Sequence, residues 1–330
     1  MRNFLLYATV IGFATPIHAG VTSTTVLPTD KVFAPTSFWY TPIPLQVKLH
    51  PNNTNLISEF NRQRVRYFNT VAINTKSYTS PVYTVSATQP KVAVGWNDCQ
   101  KKGWVEKGFL SQVTAVPIPN NAVQAQGSDA EMTIYQPSTD TIWELWQAKK
   151  DANGKWIACW GGKLTNASKS NGVFAKGYGT TATGLPFIGG QITAEELQRG
   201  EIKHAIGIAL VDTEHFNIYS YPANRSDGWN PNKTPNRIME GQRFRIDPAL
   251  NIDALPLTRA GKIIAKAGQK YGFVVWDKAG AVSIRAQNVS SYPTDPYPAL
   301  LSYKPTYQIL NTLPWNRIQF LPVNYGKPAS

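Results

Sequence analysis

Glu144 stands in the run 141–146 (TIWELW), with Trp143 before it and Trp146 two positions on. Side chains alternate along a strand, so Ile142, Glu144 and Trp146 share one face. A carboxyl beside indole surface loses solvation and keeps its proton to higher pH. The indole itself can stack on a sugar ring. That combination suits the general acid of glycoside hydrolysis, which needs a second carboxyl across the same groove. Asp227, in 225–229 (RSDGW), is the partner expected from sequence. Both residues also have a plainer reading. Glu144 would pair across strands with Lys155 or Lys163, and Asp227 with Gly228 would form a turn.

A second constellation suits β-elimination on a uronic-acid polymer. That reaction needs cationic or amide groups against the uronate carboxylate, and a histidine or tyrosine base at the neighbouring C–H. Arg243 and Arg245 alternate onto one strand face, His204 opens an apolar run and Tyr271 opens another. The expected catalytic residues are therefore Glu144, His204, Asp227 and Tyr271. The expected substrate-binding residues are Trp146, Trp160, Arg243 and Arg245. The plainer reading pairs the arginines with Glu240 and Asp247 and leaves His204 at a strand edge. No cofactor and no metal is expected, because the chain has no CxxC or HxxxH spacing. It also lacks a GxSxG elbow, and its glycine pairs are too short for a phosphate loop.

These groups need a scaffold. The 330 residues are 42% hydrophobic and only 16% charged, with 24 Gly, 24 Pro, 10 Trp, 15 Tyr and 13 Phe. Such a chain can bury a core, and it is unlike a disordered or coiled-coil sequence. The net charge of +13 favours a polyanionic partner, either an acidic polysaccharide or an anionic cell envelope. The basic residues are scattered without a recognised motif, so specific nucleic-acid binding is not expected. Residues 1–19 carry a positive start, a short apolar run and a small residue before the cut, the pattern of a signal peptide. That run is shorter than the roughly 20 residues that span a bilayer. A secreted or periplasmic monomer without a membrane span is expected, with an extended segment over 20–51 and one domain over 52–330. In such a compartment Cys99 and Cys159 most simply form one bridge, the other reading being two separate buried thiols.

Periodicity then places the elements. A helix is expected over 53–68, and a hairpin joins 141–149 to 155–164 around the turn 151–154. Thr193, Glu196 and Gly200 mark a capped short helix, followed by an apolar strand over 203–211. The Ala205, Gly207, Ala209 face of that strand is nearly smooth, so something must approach it closely. A strand over 243–246, an amphipathic helix over 257–270 and a hairpin of 271–276 with 281–286 complete the pattern. Many short strands with few helices point to a mainly β fold, a single jelly-roll-like β-sandwich.

Several segments carry a resemblance. They are SFWYTPIP at 37–44, PSTDTIWELW at 137–146, ACWGGKL at 158–164, the long run 179–210, EGQRFRID at 240–247, QKYGFVVWDKAG at 269–280 and PWNRIQ at 314–319. In that order the chain resembles a widespread family of secreted bacterial proteins, common in actinomycetes and without a settled activity. The resemblance implies a jelly-roll domain of the concanavalin-like kind and supplies no catalytic residue. The function expected is action on extracellular polysaccharide, as a lyase or a glycoside hydrolase. The alternative is a non-catalytic carbohydrate-binding or envelope-associated protein.

Overall fold

Strand alternation sorts the side chains of this protein into layers. The structure, a computed structural model, describes residues 31–329. The signal peptide expected over 1–19, and the start of the segment expected over 20–51, lie outside the described residues. The elements are α1 (Asn53–Arg66), β1 (Ala72–Asn74), β2 (Val82–Thr84), β3 (Gly95–Trp96), α2 (Lys107–Gln112), β4 (Met132–Gln136), β5 (Thr141–Trp146), β6 (Lys149–Lys150), β7 (Trp156–Ala158), β8 (Trp160–Thr165), α3 (Phe187–Gly190), α4 (Ala194–Arg199), β9 (Ile206–Leu210), β10 (Arg243–Ile246), α5 (Arg259–Lys270), β11 (Phe273–Lys278), β12 (Ser283–Arg285), α6 (Tyr297–Leu300) and β13 (Ile318–Phe320). Helix and strand contribute almost equally, at 19% and 20%, so the strands do not dominate as expected. Among the described residues no helix is long and apolar enough to cross a membrane.

The largest sheet has the order β1-β12-β9-β11-β10-β13. Within it β1 runs parallel to β12 and β9 parallel to β11. A second sheet, β2-β4-β5-β8, has β2 parallel to β4, and a third is β3-β7-β6. This mixed pairing departs from the antiparallel Greek-key sheets of a jelly roll. The cause is visible in the connections. β10 and α5 both intervene between β9 and β11, and that much chain can return a strand in parallel. The hairpin expected from 271–276 and 281–286 is also not formed, because β9 lies between β11 and β12. All five residues of β9 are buried, so it takes a central place and pairs on both edges. The segment after β11 crosses its end, with Ala279 N–H donating to Leu210 O at 2.8 Å.

Two aliphatic cores lie on the outer sides of the two main sheets. Phe244, Ile246, Ile206, Ile208, Phe273 and Val275 pack against Leu56 and Phe60 of α1 and Ile263, Ile264 and Ala267 of α5. Each fully buried isoleucine of α5 stabilises by roughly 1.5–3 kcal/mol. Thr258 fixes the helix start by accepting from Gly261 N–H. Trp143, Leu145, Met132 and Ile134 pack outward on the second sheet against Phe109 of α2 and Trp156. Between the two sheets lies a third cluster, with Phe33, Trp39, Phe174, Phe187 and Trp276. Into this middle layer the alternate positions of the strands send ionisable groups: Glu144, Arg243, Arg245 and Arg285, all buried.

The smooth face of β9 meets an indole. A Cβ built on Gly207 would lie 2.3 Å from Trp276 Cδ2. Trp276 is fully buried against Trp39 and Phe187, with ring centroids 6.4 and 5.4 Å away, so it has no room to retreat. Gly207→Ala is expected to destabilise by on the order of 3 kcal/mol through overpacking. Thermal melting checks this, and an unchanged midpoint would show slack around the indole.

Candidate functional site

A bulge in β11 builds the site. Val275 pairs with Ile208 and Asp277 pairs with Ala209, so Trp276 is the extra residue. Unbroken alternation would put Asp277 on the aliphatic side with Val275; the register shift instead leaves Trp276 and Asp277 both facing the middle layer. There Asp277 Oδ2 accepts from Arg285 Nη2 at 3.0 Å, and Oδ1 accepts from Lys278 N–H at 3.1 Å and Ala182 N–H at 3.4 Å. The Asp277 side chain remains 17% exposed. Arg285 is 2% exposed and lies 4.8 Å from the Phe187 centroid and 5.5 Å from that of Trp276. Its Nε and Nη1 have no hydrogen-bond partner among the described residues.

Further carboxyls converge on this pair. Asp129 accepts from Trp146 Nε1 at 3.2 Å. Glu131 is buried, and its Oε2 has no hydrogen-bond partner among the described residues. Asp227 N–H donates to Glu240 Oε2 at 3.3 Å, and the two carboxyls adjoin. Arg225 staples the loop above by donating to the carbonyls of Gly177, Gly179 and Thr181. Its guanidinium lies in the field of Asp277, Asp227, Glu240 and Glu144. Burial pushes Asp277 up to about 6, with Arg285 opposing and Asp227 and Asp129 adding to the rise. Burial likewise pushes Glu131 up to about 7, again opposed by Arg285. Glu240 is raised well above the usual carboxylate range by burial and then by Asp227. Carboxyls that keep their protons near neutral pH, beside others in less buried positions, are the raw material of general acid–base chemistry. Among the described residues no group of three His, Cys, Asp or Glu is arranged to hold a metal ion.

The cluster opens to solvent through a cavity of about 420 Å³ at the β1/β12 edge. Phe68, Asn74, Tyr78, Asp129, Lys278 and Arg285 are among its lining residues.

The residues singled out by sequence divide between this site and the rest of the fold. Glu144 is fully buried, so no sugar reaches it, and its role as substrate acid is corrected here. Its Oε1 accepts from Phe187 N–H at 2.5 Å and its Oε2 from the Thr180 hydroxyl at 2.7 Å. Burial pushes Glu144 up to about 7 against those hydrogen bonds. It ties the start of α3 and the 174–183 loop to β5. The close approach depends on Gly162, where a Cβ would lie 2.7 Å from Gly179 N. No lysine opposes Glu144 either, since its cross-strand partner is Gly162. Trp146 and Trp160 are directly opposite each other and half-buried at the open end of the ribbon. Trp146 reaches the cluster through Asp129, whereas Trp160 stacks on Tyr178 at 5.7 Å. Asp227 is exposed at the rim.

Four other candidates lie elsewhere. His204 is 2% exposed, with Nε2 3.2 Å from Glu196 Oε1. Although burial opposes it, Glu196 raises its pKa. His204 precedes β9, about 16 Å from Ala209, the residue opposite Asp277. Tyr271 is buried in the turn that ends α5, before β11, whereas Asp277 stands near the far end of that strand. Its carbonyl accepts from Arg243 Nη2 at 2.8 Å. Arg243, pushed down to about 10 by burial, lies 5.9 Å from the Phe38 centroid and 5.4 Å from that of Tyr325. Arg245 donates to Gln319 Oε1 and to the carbonyls of Pro44 and Leu45. Alternation does place both arginines on one face, as read from sequence. That face belongs to β10, next to the edge strand β13 and on the side of the sheet away from β1 and β12, where they lace the chain ends to the core.

Cys99 and Cys159 form a disulfide with Cα atoms 5.6 Å apart. The bridge holds the 97–106 loop against the ribbon, where Lys102 Nζ lies 5.4 Å from the Trp160 centroid. Replacing both cysteines by serine is expected to cost about 4 kcal/mol, lowering the melting temperature by on the order of 10 °C. A melt with and without reductant checks it, and the double variant should become insensitive to reductant.

Asp277, Arg285, Asp129 and Glu131 were not singled out by sequence reasoning. The available signal was an arginine inside the apolar β12 and an aspartate near the end of the apolar β11. No family model, curated protein or solved structure matches the chain.

Proposed function

We propose that this protein is an exported enzyme acting on extracellular polysaccharide, with Asp277 as general acid and Asp129 as the second carboxyl. One observation carries the reading. A carboxyl that keeps its proton to about pH 6 is hydrogen-bonded to Arg285, and Arg285 and Asp129 both line a cavity of about 420 Å³. In glycoside hydrolysis Asp277 would protonate the leaving oxygen. Asp129, oriented by Trp146 Nε1, would activate water or attack the anomeric carbon. Arg285 holds Asp277 in place. The disulfide suits an oxidising compartment, and the charge of +13 would draw an acidic polymer toward the molecule.

β-Elimination is the second reading, favoured by the presence of Tyr78, Asn74, Lys278 and Arg285 in the same cavity. A phenol beside amide and cationic groups is the equipment that reaction needs. The test is incubation of the purified protein with acidic and neutral polysaccharides. Reducing ends without absorbance at about 235 nm indicate hydrolysis, and both together indicate elimination. Silence in both assays removes the catalytic reading and leaves carbohydrate or envelope binding.

A further inference from the structure

We propose that the cavity between Phe68 and Tyr78 is a subsite for an acidic sugar, a pyranose ring whose carboxylate is held by Lys278 in the field of the buried Arg285. The proposal rests on the reading of the substrate as a polysaccharide and names its class.

The walls are the first argument. Phe68 is 79% exposed and Tyr78 is 43% exposed, and both line the same cavity. Their backbones have φ values of 70° and 57°, in the left-handed region that bulky residues rarely adopt. Each such residue costs on the order of 1 kcal/mol and persists only where its surroundings enforce it. Two bulky rings held this way toward solvent, around one cavity, do nothing for the core. They do offer apolar faces to the C–H face of a sugar ring.

The floor is the second argument. Arg285 is fixed over Phe187 and Trp276, and its Nη2 is engaged by Asp277. Nε and Nη1 remain without protein partners, although the residue is only 2% exposed. These N–H groups are covered by the fold, so Arg285 acts on the cavity through its charge, which makes the floor attractive to an anion. Lys278 lines the same cavity and has no ion-pair partner among the described residues. Asn74 and Ser283 add an amide and a hydroxyl for ring oxygens. Asp129 on the wall repels a carboxylate, which fixes the orientation: the acidic group turns toward Lys278 and Arg285, and the hydroxyls toward Asp129. The volume of about 420 Å³ falls within the ordinary range for ligand sites.

The test is calorimetric titration with trimers of galacturonate, glucuronate and mannuronate, their methyl esters and the neutral hexose trimers. At least one acidic trimer is expected to bind tenfold or more tightly than its methyl ester. Lys278→Glu should remove that preference, bringing the acidic trimer to or below the affinity of its methyl ester. Phe68→Ala should weaken acidic and neutral trimers alike, and its exposure makes misfolding from that change implausible. Equal affinity for acid and ester, binding of none of the trimers, or an unaltered preference in Lys278→Glu would each overturn the subsite. Turnover is scored separately. Cleavage without preference for uronates keeps the enzyme and removes the subsite, whereas uronate binding without cleavage keeps the subsite and removes the enzyme.

Discussion

Asp277→Asn is expected to lower kcat on the responsive polymer by about 10²–10⁴-fold, with KM and the melting temperature little changed. Asparagine keeps the shape of the side chain and can still accept from Arg285 Nη2, but it cannot deliver a proton. The pH profile adds a second signature. Because burial holds Asp277 up to about 6, activity that needs its protonated form should decline as pH rises past that value. The variant should lose this alkaline limb. Asp129→Asn should be comparably damaging, since the reaction needs both carboxyls. Glu144→Gln makes the contrast. The glutamine amide can accept from Phe187 N–H and donate to the Thr180 oxygen, so turnover should stay within about tenfold of the parent. Full activity in Asp277→Asn, or its loss in Glu144→Gln alone, would move the chemistry away from the cavity.

The contrast between these two carboxyls shows how far the sequence could be read. Local features were legible. Thr193 and Glu196 form the capping box, Gly200 stops the helix with φ 96°, and Thr258 caps α5 close to the expected start. The ribbon around 151–154 also pairs, with Trp146 opposite Trp160. These depend on neighbours in sequence. Sheet order does not. The chain does break between the two expected strands, though at 279–282 and not at 277–280, since Asp277 and Lys278 end β11; the flanking strands are separated by β9, because a strand of five buried residues outcompetes a hairpin partner for the central position. The site failed to show for a related reason. Glu144 has the local signature of an active-site acid, but the inner faces of two sheets close over it. Asp277 looks like a turn residue until the bulge at Trp276 turns it inward. Arg285 becomes its partner only because β12 joins β9 from the other side.

Arg285→Met is expected to cost about 3–5 kcal/mol at pH 8, lowering the melting temperature by on the order of 10 °C, and much less at pH 5. Methionine replaces the volume of the stem but not the charge that opposes the rise of Asp277 and Glu131. Both carboxyls already have folded pKa values above their unfolded ones, about 6 against 3.8 and about 7 against 4.5. A group of this kind adds stability that is complete below its unfolded pKa and lost as pH rises through the folded value. The parent protein should therefore become less stable between about pH 4 and pH 8, with Glu144 and His204 acting in the same direction. Removing Arg285 raises the Asp277 and Glu131 pKa values further, so the variant loses more over that interval. At pH 5 both carboxyls are largely protonated in either protein, and little charge is left for the arginine to balance. Melting curves of both proteins at pH 5 and pH 8 decide the matter. A gap of equal size at the two values would assign Arg285 a packing role over Phe187 and Trp276. A gap that opens with pH identifies it as the counter-charge that lets acids gather at this cavity.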